Sequence, residues 1–175
     1  MAKRQSRSVT KKTKASDSPK SFVTSLALQV LRVTESHCVL SLLALEPLSQ
    51  ITVGVNCSHG VAQREHDFAI AVVTTVEISA SPINPDNKSS LKITAKAECV
   101  YASPCEPPQT EFQQILMMGM MAAWPTLRET TCSLSMRTGQ PPIVLPILYI
   151  DPATHAVSFL MGNQTKPIDV GQIVE

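Results

Sequence analysis

The side chains with the most chemical reach gather early in the chain, where His37-Cys38, Cys57, His59 and His66 could between them offer thiolate and imidazole ligands to zinc. Structural zinc sites announce themselves by paired ligands in knuckle spacings, and this loose set has none. It reads as a strand-to-loop stretch that happens to contain these residues, and neither a metal nor a cofactor is expected. Ser133 and Ser135 lack the Gly-x-Ser-x-Gly setting of a nucleophile elbow, and His37, His59, His66 and His155 have no evident acid or base partner. The 6 glycines are nowhere grouped as a phosphate-cradling loop requires. An enzyme is therefore not expected. The 5 cysteines, Cys38, Cys57, Cys99, Cys105 and Cys132, are odd in number and irregularly spaced in a chain long enough to fold without staples. Free thiols in a reducing cytoplasm are the simplest reading.

Binding is better represented than catalysis. From Phe112 to Ala123, FQQILMMGMMAA sets apolar residues on all sides of a helix and brings together Met117, Met118, Met120 and Met121, four of the chain's 7 methionines. Such a helix needs burial on every side, which in a chain this small implies a second subunit; unbranched Met side chains also repack around varied partners. Next comes WPTLRETTCSLSMRTGQPPIVLPI, from Trp124 to Ile147. Pro125 suits a first helical position, Arg137 a last turn and Gly139 a left-handed exit, and Pro141-Pro142 forbids further helix. Ile143, Val144, Leu145 and Ile147 then surround Pro146, describing a donor-poor chain laid along a surface.

Four strand-like runs precede any clear helix. The first, from Phe22 through the Cys38 to Leu45 apolar run, ends at Glu46-Pro47; its Val23, Leu26, Leu28, Val30, Leu31, Val33 pattern fits strand or helix, with β-branched content favouring strand. Ile51, Val53 and Val55 alternate with polar neighbours, and Asp67 to Ser79 suits a strand covered on both sides for part of its length. Turn chemistry from Ser81 to Asn87 leads to Leu91 to Tyr101. Strands followed by helices point to an α+β fold: a four-stranded antiparallel sheet with helices packed on one face. Beyond it, Asp151 to Thr154 reads as a turn and Ala156 to Met161 as a short strand.

The chain has 175 residues, sized for one domain with tails. Its net charge of +1 hides an asymmetry: residues 1–20 hold seven basic residues against Asp17, a net +6, leaving 8 basic and 13 acidic residues, a net −5, in the remainder. Residues 1–20 carry too little apolar surface to order themselves, giving a disordered basic tail, a folded domain over 21–150 and an extension over 151–175. No run of about 18 to 20 apolar residues suggests a membrane span, and no secretory signal follows the basic start. Aromatic residues are only 4%, without the aromatic-basic interleaving that stacks bases, so a basic-tailed nucleic-acid module is the weaker alternative.

Trp124-Pro125, Arg128-Glu129, Arg137, Gly139, Pro141-Pro142, Leu145 and Pro146, in that order after four strand-like runs, resemble the SecB family of export chaperones. The likeness covers about residues 22–147, with Gly139 standing two residues after the Arg where the family usually has it next. It implies a meandering four-stranded sheet, a helical hairpin-like region and a dimer of dimers. It further implies an ATP-independent holdase that keeps polypeptides, among them preproteins for export, unfolded in apolar grooves. Trp124, Ile143, Val144, Leu145 and Ile147 are then candidates for the groove wall, and Met117, Met118, Met120 and Met121 for the interface or groove floor. The implied partners are unfolded polypeptides, further copies of the chain and the SecA motor, which docks on an acidic face; a single labile partner, such as an antitoxin, is the runner-up client.

Overall fold

A computed structural model of the chain describes residues 22–41, 48, 50–82, 86, 89–151, 157–161 and 164–167. The basic tail, the Glu46-Pro47 break and most of the Ser81 to Asn87 and Asp151 to Thr154 turns lie outside those residues. Four long strands form one antiparallel sheet: β1 (Ala27–Ser41), β2 (Gln50–Gln63), β3 (Phe68–Ser81) and β4 (Ser90–Ser103). Their order is β1-β4-β3-β2. The expected meander therefore holds only for β2, β3 and β4. β1 stands at the far edge and pairs with the last strand, as in a Greek key. Local patterning shows where strands are, and strand order follows from which pairings bury the most, so the correction was not available from periodicity.

In β3 and β4 every second residue is buried, from Ile70 to Ala80 and from Leu91 to Ser103. Register pairs Cys99 with Val72 and Ala97 with Thr74, so these positions share one face. The alternate residues, such as Val73 and Thr75, are only half-buried. β3 is thus buried on one face and half-buried on the other from Ala69 to Thr75, against an expectation of cover on both sides for part of its length.

Over the buried face runs a single helix, α1 (Phe112–Arg137). Pro125 suits the opening of a helix distinct from Phe112 to Ala123, but the two are one helix that passes through Pro125. Proline removes the bond to the carbonyl four residues back, here that of Met121. Both residues are exposed, so the side of the helix that loses this bond is the one turned to solvent. α1 is about 39 Å long at 1.5 Å per residue. It buries Ile115, Leu116, Gly119, Met120, Ala123, Trp124 and Leu127, then Thr131 and Ser135. At Gly119 it presses closest: a Cβ there would stand 2.4 Å from Val72 Cγ1, and the Gly119 carbonyl accepts from Cys99 Sγ at 3.4 Å.

The helix crosses the sheet diagonally. At its start the Phe112 ring stacks on His59 of β2 with centroids 4.3 Å apart; at its end Thr130, Ser133, Leu134 and Arg137 share a depression with Ser36 of β1. Gly139 makes the expected left-handed exit at φ 75°, its N–H donating to the Met136 carbonyl at 3.1 Å. After an extended strap, a second sheet forms from β5 (Ile147–Ile150), β6 (Val157–Met161) and β7 (Gln164–Pro167), antiparallel in that order. β6 falls where the short strand is expected, whereas β5 takes only Ile147 from the apolar surface segment and continues through Leu148, Tyr149 and Ile150.

Candidate functional site

The strap from Pro141 to Pro146 has three residues without a backbone donor, so it cannot be held as a ladder strand. Side chains of α1 hold it instead. Ser135 Oγ accepts from the Ile143 N–H at 2.8 Å, Arg128 Nε donates to the Leu145 carbonyl at 2.8 Å, and Trp124 Nε1 donates to the Pro146 carbonyl at 2.9 Å. Residues 124, 128 and 135 fall on one stripe of a helix of 3.6 residues per turn, and the strap runs back along that stripe. These bonds pair polar groups that would otherwise be costly to bury.

The structure brings together three of the five candidate groove residues in the core: Trp124, Ile143 and Leu145 are buried, and the Trp124 ring meets Phe159 of β6 with centroids 5.6 Å apart. The other two point out, Val144 being 59% exposed and Ile147 54%. Tyr149 joins them, while Leu148 is buried. Val144, Ile147 and Tyr149 therefore form an apolar ridge on the strap and the outer strand β5. Tyr149 was missed from sequence because its strand depends on pairing with β6, which no local pattern shows.

The four methionines separate. Met120 is buried beneath the helix, Met117 and Met118 are half-buried, and Met121 is exposed. The helix is thus not apolar-covered on every side, since Gln113 and Gln114 also reach solvent. Further along, Glu129, Cys132, Ser133, Met136 and Arg137 line a shallow depression of about 480 Å³ on its outward side.

The residues considered for zinc are dispersed. Cys57 is buried, its Sγ donating to Thr74 Oγ1 at 3.6 Å, His59 stacks on Phe112, and Glu35 bonds Lys96 and reaches His37 Nδ1 at 3.4 Å. Among the described residues no three His, Cys, Asp or Glu side chains gather as a metal site. Burial pushes the thiols of Cys57 and Cys99 above their ordinary pKa, which makes them poor nucleophiles. Burial likewise drives the Tyr101 phenol upward.

Four antiparallel strands with one long helix across them, followed by a pinned strap, define a SecB-like fold. The SecB-like chaperone Rv1957 of Mycobacterium tuberculosis, solved with a ChAD peptide from the Rv1956 HigA1 antitoxin, shares it with TM-score 0.52 at 15% identity, over 73% of this chain and 93% of that one. A protein of unknown function from Streptococcus agalactiae matches with TM-score 0.36 at 11% identity, over 70% of this chain and 97% of that one. No protein-family model and no curated protein matches the sequence. Among the described residues no helix is long and apolar enough to cross a membrane.

Proposed function

We propose that this chain is a cytoplasmic, ATP-independent holdase that binds unfolded polypeptides along the ridge of Val144, Ile147 and Tyr149. The observation that carries the reading is this outward apolar ridge on a SecB-like fold, beside an edge strand whose backbone can accept an extended chain. The holdase works by occupancy, covering apolar segments of a client before they meet one another, and requires no covalent step. The test is light scattering from a chemically denatured enzyme diluted into buffer with and without the protein, no nucleotide being added. Suppression of scattering at near-stoichiometric amounts supports the reading; scattering unchanged at a tenfold excess removes it.

Self-association belongs to the same proposal. β1 is a sheet edge with Leu28, Val30, Leu31, Val33 and Val39 all exposed, and a long apolar edge of this kind is a liability unless another chain covers it. A second copy is the simplest cover, and dimers of dimers would follow through further contacts of α1.

Clients bound for export through the SecA motor are one version of this function. A dedicated chaperone of one labile partner is the other, favoured by two observations. The neighbour Rv1957 was solved with an antitoxin peptide. On the sheet face away from α1, Arg32 pairs with Glu98 and Lys96 with Glu35, so two of that face's carboxylates are already paired within the sheet. Calorimetry with purified SecA separates the two: binding favours export, and its absence together with selective protection of one partner favours the dedicated role.

A further inference from the structure

In an extended chain successive side chains alternate sides, so an outward Val144 should be followed by an outward Pro146 and an inward Ile147. The strap breaks that rule. Val144 is out and Leu145 in, then Ile147 is out, Leu148 in and Tyr149 out, so the alternation slips by one residue at Pro146. Adjacent carbonyls of an extended chain also point to opposite sides, yet those of Leu145 and Pro146 both accept hydrogen bonds from α1, one from Arg128 and one from Trp124.

We propose that Arg128 is a positioning residue: its bond to the Leu145 carbonyl, with that of Trp124 to the next, turns the chain at Pro146 and so sets Val144, Ile147 and Tyr149 on one side as a continuous ridge. The inference rests on the reading that this ridge receives unfolded polypeptide. The two donors stand four residues apart on the helix, one turn, so they reach two neighbouring carbonyls only where the strap is bent toward them. Loss of the Arg128 donor frees the strap to return to plain alternation, which would turn Ile147 inward and split the ridge.

The experiment uses two substitutions of nearly equal shape. Glutamine carries a nitrogen donor at the same number of bonds from the backbone as the arginine Nε, and methionine fills the same space without one. Affinity for reduced, alkylated lysozyme, a polypeptide that cannot refold, is measured by fluorescence anisotropy per folded molecule, with folding followed by circular dichroism. Arg128→Met is expected to weaken binding about tenfold or more, the worth of one hydrogen bond from a charged donor, and Arg128→Gln to stay within about threefold of the original. Trp124→Phe, which keeps the ring against Phe159 and deletes only the N–H, should weaken binding in the same direction and stands in if Arg128→Met does not fold. Equal affinities for the Gln and Met variants would overturn the proposal, because charge or bulk and not the donor would then matter. Undiminished binding by Arg128→Met and Trp124→Phe, with weakened binding by Val144→Ser, would also overturn it while leaving the ridge as the client site. Unchanged binding by Val144→Ser and Ile147→Ser would instead remove the ridge reading and the positioning role with it.

Discussion

On one flank of α1 the strap lies close, its Ile143 and Leu145 buried and its backbone tied to three helix side chains; on the other flank β1 presents Leu28, Leu31 and Val33 with no described element over them. Both segments are rich in Val, Leu and Ile. The difference lies in where their backbone bonds go. The strap has few donors and lends its carbonyls to the helix, so its inward side chains are fixed and its outward ones form a narrow ridge. β1 gives one row of its backbone groups to β4 and leaves the other as a sheet edge, with apolar residues on both faces. The strap is satisfied by its own chain, and β1 keeps one row of its backbone groups at an open edge. An apolar residue is therefore informative about function when the backbone carrying it has already been satisfied.

The contrast breaks most heavily at the strap's inward side. Leu145 is 1% exposed, so Leu145→Ser should cost about 2 to 5 kcal/mol of stability in denaturant melts. Val144→Ser next to it should change stability by less than about 0.5 kcal/mol while weakening client binding. Equal destabilisation by the two would mean that the strap has no outward side in solution.

A smaller effect is expected where the helix sits on the sheet. Gly119→Ala places a methyl 2.4 Å from Val72 Cγ1, an overpacking cost of about 1 to 3 kcal/mol that exceeds the gain of about 1 kcal/mol in helix propensity. Adding Val72→Ala vacates that space, so the double variant should be more stable than the sum of the single effects. Simple additivity, measured by a double-mutant cycle, would show that the helix shifts freely and that its flanks are not set by this contact.

How much of this was legible in the sequence differs between the same regions. The four strands and the helix exit at Gly139 were readable because alternation, glycine and proline each leave a local mark. β1 was ambiguous for a reason the structure supplies. Its register with β4 shifts between Leu28 and Val30 and again between Val33 and Glu35, and each bulge reverses the side that following residues face. Leu28, Leu31 and Val33 thereby share the helix side without a period of two. The slip at Pro146 is the same difficulty in the strap: Val144 and Ile147, three apart, face one way because of bonds to residues about 20 positions earlier. Trp124, Arg128 and Ser135 were visible as residue types, and their spacing along one helical stripe was the available signal for their shared partner.

Assembly tests the open flank. Leu31→Lys places a charge where a second copy would have to bury it, whereas in a lone chain that position is 40% exposed and the change should leave stability within about 0.5 kcal/mol. The expected result in light scattering is a shift to monomer, with a melting temperature that no longer depends on protein concentration. Retention of the oligomer would place the interface elsewhere, with the half-buried Met117 and Met118 and exposed Met121 of α1 as the next surface to change.

The smallest effect concerns what holds β1 to its sheet before any partner arrives. Glu35 of β1 stands opposite Lys96 of β4, and the hydrogen bond from Lys96 holds the Glu35 carboxyl below its ordinary value of 4.5, with attraction from Lys96 and His37 adding to it against a desolvation cost. A carboxylate whose folded pKa is depressed adds stability that is present above its unfolded value and disappears as the pH falls through the folded one. The Glu35 side chain is 42% exposed, so the contribution is screened by water and salt. Comparison of the melting temperatures of the original chain and Glu35→Gln across pH isolates it from the other carboxylates. A small gap in favour of the original is expected at pH 6 to 7, closing below pH 4 and narrowing in high salt. A gap that is the same at pH 3 and pH 7 would mean that this ion pair contributes nothing and that β1 is retained by its backbone bonds to β4 and the Arg32–Glu98 pair.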